Sequence, residues 1–141
     1  VEGAGTTTEA QTYRFRDATP PFADALAYRL KQIDTDGTSE LSPEVVVHRG
    51  PGTEVQLVAP FPNPVRQQAT VRYVVPDGSA QPVRLTVYNV LGQRVATLVD
   101  ATKAPGREEL LLDASRWPSG MYVLRLRVGE TMRTERVTVV R

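Results

Sequence analysis

The chain has 141 residues, room for one domain of ordinary size and a piece of another. It has no Cys and a single His, which excludes a disulfide framework, a thiolate metal centre, a cysteine nucleophile and most multi-histidine metal sites. Lys and Arg number 17 against 16 Asp and Glu, so the net charge of +1 gives no electrostatic footprint for nucleic acid or an anionic membrane.

The chain opens on Val1 rather than Met, without a signal peptide, and is expected to be an internal or C-terminal piece of a longer protein. No apolar run approaches the roughly 20 residues of a membrane-spanning helix. In the first fifty residues Tyr13 and Phe15 alternate with Arg14 and Arg16, the period of a strand. Tyr28 to Ile33 reads as a second strand, Asp34-Thr35-Asp36-Gly37 as a turn, and Leu41 to Val47 as the returning strand. Three strands of this size bury too little to be stable alone, so residues 1–48 are expected to be less ordered or to borrow a partner. Charge divides the chain as well. Residues 1–50 carry five basic and eight acidic groups, net −3, and residues 51–141 carry twelve and eight, net +4. Between the two parts, residues 49–56 are rich in Gly and Pro and read as an exposed linker.

From Glu54 onward the turn signals are regular. Strands are predicted near Val55–Val58, Val71–Val75, Val83–Tyr88, Arg94–Val99, Arg107–Leu112, Met121–Val128 and Thr131–Val140. They are separated by Pro76-Asp77-Gly78, Leu91-Gly92, Pro105-Gly106, Pro118-Ser119-Gly120 and Gly129-Glu130. Seven short alternating strands predict an all-β, Ig-like antiparallel sandwich over residues 57–141. Its core is expected to take Val71, Tyr73, Val83, Leu85, Val87, Leu110, Leu112, Tyr122, Leu124 and Leu126.

Little in the sequence reads as catalysis. His48 ends a strand beside the linker and lacks the context of a nucleophile elbow. Asp34 and Asp36 suggest a calcium loop only superficially, because Glu40 comes too early for the distal ligand; a turn with Gly37 at positive φ accounts for the same residues. Glu108 and Glu109 are adjacent, so a strand sends them to opposite faces and they cannot act as an acid/base pair. Trp117 beside Pro118 is either a sugar-stacking platform or, the favoured reading, an aromatic plug at the end of the sandwich. No metal, cofactor or catalytic residue is assigned.

An ordered set of motifs is more specific. Phe61-Pro62-Asn63-Pro64 is followed by Ala69-Thr70-Val71-Arg72-Tyr73, then by Leu85-Thr86-Val87-Tyr88-Asn89-Val90-Leu91-Gly92-Gln93-Arg94-Val95. Ser119-Gly120-Met121-Tyr122-Val123-Leu124 comes next, and the sequence ends on Val137-Thr138-Val139-Val140-Arg141. This order resembles the type A C-terminal sorting domain of the type IX secretion system over about Leu57 to Arg141. The resemblance implies a seven-stranded Ig-like sandwich on exported cargo, recognised by the outer-membrane translocon of Bacteroidota and their relatives. It implies removal by a sortase-like peptidase and delivery, via the periplasm, to the cell surface or medium. Arg136 stands where the family often has Lys, keeping the charge but changing donor geometry. In the first part, Tyr28 to Asp34 with Asp36-Gly37, Ser42 and Val45-Val46-Val47 resembles the last hairpin of a fibronectin type III-like domain, with Tyr28 as its tyrosine corner.

The sequence therefore reads as a non-enzymatic export label attached to an upstream cargo domain in the same chain. Gly120, Tyr122, Arg136, Val137 and Val139 are the expected sorting-signal residues. The expected cleavage linker is Arg49, Gly50, Pro51, Gly52, Thr53 and Glu54. Arg125, Arg127, Arg133 and Arg136 are expected to give the last hairpin one positive surface, and its final strand is expected to have an open edge. The rival reading is a carbohydrate-binding or adhesive Ig-like module, which would need coplanar exposed aromatics such as Tyr88 and Trp117 on one face.

Overall fold

A computed structural model describes Glu2 and residues 9–141 of the chain. The chain divides into two compact units, one within residues 1–49 and one spanning Gly50–Arg141.

The first unit is a hairpin broken in the middle. Strand β1 (Ala25–Tyr28) pairs with β4 (Val45–His48), and β2 (Lys31–Ile33) pairs with β3 (Ser39–Leu41), all antiparallel. The two longer strands expected from the sequence are thus each cut in two. Pro43, with no N–H to donate, interrupts the returning strand. Ser42 spans the gap: its N–H donates to the Leu30 carbonyl, and its Oγ accepts from the Leu30 N–H, both at 2.9 Å. At the tip, Gly37 has φ 87°, as the turn requires. The Asp36 carboxylate accepts from both the amide and the hydroxyl of Thr38, which holds its pKa below the usual range. These bonds explain the paired aspartates as turn chemistry.

Two expectations for this unit are corrected. Tyr13 to Arg16 form no strand; their alternation has no neighbouring ladder to join. The Tyr28 hydroxyl donates to the Asp17 carboxylate at 3.1 Å, rather than to a backbone carbonyl as in a tyrosine corner. None of the described residues of this unit is buried, and Val45, Val46 and Val47 all lie largely in solvent.

The second unit is the sandwich. One sheet has the order β11-β10-β7-β8, the other β5-β6-β9. The strands are β5 (Gln56–Phe61), β6 (Gln68–Val75), β7 (Gln81–Asn89), β8 (Arg94–Lys103), β9 (Gly106–Asp113), β10 (Gly120–Val128) and β11 (Thr131–Val139). All pairings are antiparallel. Alternation decides which side chains meet between the sheets: Val71, Tyr73 and Val75 from β6 face Val83, Leu85 and Val87 from β7 and Tyr122, Leu124, Leu126 and Val128 from β10. Of the ten expected core residues, nine are buried and Leu110 is half-buried against the same cluster. The core also takes residues the alternation did not nominate, among them Val65, Ala114, Val137 and Val139.

Connectivity gives the sandwich two ends. The Pro76–Gly78 turn, the β8–β9 connection, the Gly129-Glu130 hairpin turn and the chain entry at Gly50 share one end. The β7–β8 tip, the start of β10 and the end of β11 share the other. The tip is a capped turn in which the Asn89 carboxamide oxygen accepts from Leu91 N–H and Gln93 N–H, both at 3.0 Å, and Gly92 supplies φ 75°.

Two measurable consequences follow. Leu85→Ala, at a fully buried position, should cost about 2–5 kcal/mol of stability by urea denaturation, since it opens a cavity between the sheets. Tyr73 is fully enclosed and lies across from Glu108, and burial together with that carboxylate pushes its phenol up to about 12. The folded state therefore disfavours phenolate. Its contribution is intact below the unfolded value near 10 and is lost as pH rises from there towards 12. Urea midpoints should fall over that range in the native protein, with a shallower fall in Tyr73→Phe; identical slopes would remove Tyr73 as the cause.

Candidate functional site

The expected sorting residues lie on β10 and β11, where backbone alternation gives them different environments. Gly120 opens β10 opposite Val139. Tyr122 turns inward; its hydroxyl donates to the Pro118 carbonyl at 2.9 Å, and its ring centre lies 5.0 Å from that of Trp117. Val137 and Val139 are 0% and 1% exposed and close the core. Only Arg136 offers a functional side chain to solvent, on the outer face opposite Val123.

Trp117 packs against the core beside Tyr122, and its carbonyl accepts from Arg141 Nη2 at 2.7 Å, the arrangement of an end plug. Tyr88, the second aromatic a sugar platform would need, is covered: the Arg125 guanidinium sits 4.3 Å from its ring centre and bonds its hydroxyl. The two rings do not form a shared exposed face.

The edge of β11 differs from the expected open strand. In β11 the odd residues bond to β10, and the even residues direct their N–H and C=O groups outward. The far half of that outer edge is sealed by the segment after β5. The Asn63 carboxamide is bidentate: its Nδ2 donates to the Arg136 carbonyl at 3.2 Å, and its Oδ1 accepts from the Thr138 N–H at 2.9 Å. Val65 follows as a parallel bridge to Val139, donating to the Thr138 carbonyl at 2.7 Å and accepting from the Val140 N–H at 2.8 Å. Both prolyl bonds of Phe61-Pro62-Asn63-Pro64 are cis, and the segment bends across from one sheet to the other. Asn63 and Val65 were not among the expected site residues. The motif was visible, but its partner lies more than seventy positions away in sequence.

The positive surface is also corrected. Cross-strand register puts Arg84, Arg125, Arg127 and Arg136 on the outer face of the four-stranded sheet, the first three around a shallow groove that Thr86 also lines. Arg133 pairs with Leu126 and so belongs to the opposite face. Because side chains alternate, arginines separated by an odd number of residues cannot share one side of β11. On the outer face Arg84 is paired to Asp100 at 2.9 Å, and the other three arginines have no carboxylate partner among the described residues.

The expected linker is anchored rather than free over its length. Arg107 Nη1 donates to the Gly50 carbonyl at 3.0 Å, and the Asp77 N–H donates to the Gly52 carbonyl at 2.8 Å. Val55 is 6% exposed within the core, and Gln56 already belongs to β5. Thr53 and Glu54 are exposed. The charged residues considered for catalysis are occupied structurally or isolated: Glu109 pairs with Arg72 at 2.7 Å, Glu108 pairs with Lys103 at 3.4 Å, and His48 is an exposed strand end. Among the described residues no group of His, Asp and Glu is placed to hold a metal ion.

The strands that carry this arrangement are the ones a known family matches. The family described as "Secretion system C-terminal sorting domain" matches residues 59–140. The chain belongs to that family. The sorting domain thus takes in β6 to β11 and the Asn63 segment, and a sorting domain implies export. Among solved structures, dimeric latent PorU from Porphyromonas gingivalis is similar in fold, with 23% identity and a TM-score of 0.51. The similarity covers 86% of this chain, which spans 13% of that one. A comparison with curated proteins finds no match. Among the described residues no helix is long and apolar enough to cross a membrane.

Asn63→Ala removes two bonds at a solvent-facing edge, where water can replace them, so the expected cost is about 1 kcal/mol. Amide exchange at Thr138 should speed up by about tenfold while that at Val137, which bonds to β10, changes less. Equal acceleration at both would mean that Asn63 supports the whole strand rather than its outer edge.

Proposed function

We propose that the sandwich is a non-catalytic sorting label of the type IX secretion system that directs an upstream cargo domain of the same chain to the cell surface or medium. The observation that carries this reading is the family match over residues 59–140, which coincides with one folded body. On this reading the outer-membrane translocon binds the β10–β11 hairpin through its exposed outer face, with Arg136 as a contact. Val137, Val139 and Tyr122 serve recognition indirectly, by holding that face in shape. Gly120 starts the strand that carries Tyr122.

A sortase-like peptidase then cuts within Arg49 to Glu54. What supports this segment is its place at the junction of the two units and the exposure of Thr53 and Glu54. The Arg107 and Asp77 bonds to Gly50 and Gly52 must release for a protease to draw the segment into its cleft in extended form. The junction lies at the sandwich end opposite the end of β11, so two partners can engage the domain together. The first unit fits the last hairpin of a fibronectin type III-like domain, because its exposed valines call for a covering sheet. An adhesive or sugar-binding role is less well supported, since Trp117 is packed and Tyr88 is covered.

A fluorescent reporter fused in front of the whole chain should reach the surface of a bacterium with this secretion system and stay in the periplasm of a translocon mutant. Arg136→Glu should melt normally, within about 0.5 kcal/mol, because the side chain is exposed, yet deliver less reporter. Mass spectrometry of the released reporter should place its new C-terminus between Arg49 and Glu54. A terminus inside Val71–Val139 would refute processing at the junction, and equal delivery in the translocon mutant would refute the sorting role.

A further inference from the structure

The seal on β11 stops half-way. Asn63 and Val65 take the Arg136 and Thr138 carbonyls and the Thr138 and Val140 amides. By the same alternation the N–H and C=O groups of Met132 and Thr134 and the N–H of Arg136 face outward, below the seal. Strand β5 runs beside β11 but belongs to the other sheet and bonds to β6, so it does not take these groups. Of this set, only the Met132 carbonyl is engaged, by Arg133 Nη1 of the neighbouring residue at 3.1 Å.

Proteins usually blunt their edge strands, because a bare row of backbone groups pairs with any extended chain. Two other edges of this sandwich are treated that way. β5 carries a bulge between Val58 and Phe61, with Pro60 in it, and β8 is irregular in two places against β7. β9 is regular, but its carboxylates are matched, Glu109 to Arg72 and Glu108 to Lys103. The open half of β11 is regular and positively charged. Arg133 stands on one side of it and Arg136 on the other, with Arg127 across from Met132 on β10, against one carboxylate, Glu135. Arg133 and Arg136 form no ion pair among the described residues.

We infer that the segment from Thr131 to Arg136 is a docking edge that receives an extended acidic strand of a partner protein by β-addition. The inference rests on the sorting reading and specifies the chemistry of its partner. Backbone hydrogen bonds to Met132, Thr134 and Arg136 supply the attachment, and they are indifferent to the partner's side chains. Selectivity comes from charge. One carboxylate on the added strand lies beside Arg136 on one face and a second, three positions along, lies beside Arg133 on the other, whereas a basic strand meets like charge at both positions. The Asn63 seal fixes the register, since the added strand must end where the Asn63 carboxamide begins.

Two experiments test this, both on the whole chain. In the first, NMR follows the amides as an acidic peptide with carboxylates three positions apart, Thr-Glu-Val-Thr-Glu-Val, or its counterpart with Lys in place of Glu is added. The acidic peptide should shift Met132, Thr134 and Arg136 and slow their exchange, leave Thr138 unchanged, and outcompete the basic peptide. No shift at the three amides, or equal shifts with both peptides, overturns the inference. In the second, Thr134→Pro deletes an outward N–H while leaving the β10 ladder intact, a placement edge strands tolerate. The variant should fold, and reporter delivery should drop about tenfold, the weight of one or two backbone hydrogen bonds in an affinity. A folded Thr134→Pro delivered at the native level overturns the docking edge while the sorting reading stands. If the native fusion is not delivered, the sorting reading fails, and the peptide titration still decides whether the edge accepts an acidic strand.

Discussion

The sandwich depends on how its last strand is held. β11 has a full ladder to β10 on one side, and on the other a carboxamide and one residue of parallel pairing from the Asn63 segment. Val137 and Val139 can fill the core only if the strand stays in that register; a slip by one residue would put Thr138 and Arg136 between the sheets. The Phe61–Val65 segment therefore does more than join β5 to β6. It changes sheets, buries Val65 and closes the edge from which the strand would otherwise fray. A carboxamide suits the task because it offers a donor and an acceptor side by side, the same pair an adjacent strand would present.

This arrangement divides the terminal strand between two duties. Its two buried valines, Val137 and Val139, belong to packing. Its outward side chains and the open part of its edge are the surface left for another molecule. Changing Val137 or Val139 therefore disturbs stability and recognition together, whereas changing Arg136 addresses recognition with the fold intact. The same logic separates the two ends of the domain. A nine-residue strand at about 3.3 Å per residue keeps the junction and the end of β11 roughly 26 Å apart. A handle at one end and a cutting site at the other suit a label that is first held and then removed.

Most of the sandwich was legible beforehand. The apolar alternation in Val83–Tyr88 and Met121–Val128, punctuated by Gly and Pro turns, specifies strands, faces and the greater part of the core without any knowledge of pairing. The first fifty residues were less legible because their strands are short and lack a core. Pro43 and the Ser42–Leu30 bonds broke what looked like two continuous strands. The linker was legible as irregular backbone, but its anchoring was not: Arg107 and Asp77 lie far along the chain from Gly50 and Gly52, and nothing local announces those bonds.

The sequence by itself determined the class of fold, the inward and outward positions of each strand and the family motifs, because all of these follow from period-two alternation and local turn chemistry. Only the tertiary structure decided which strands are neighbours, and with that the sealing of β11 by Asn63 and the covering of Tyr88 by Arg125. Each of these depends on cross-strand register between segments distant in the chain. Register is set by how two whole sheets fill the space between them, which no single segment encodes.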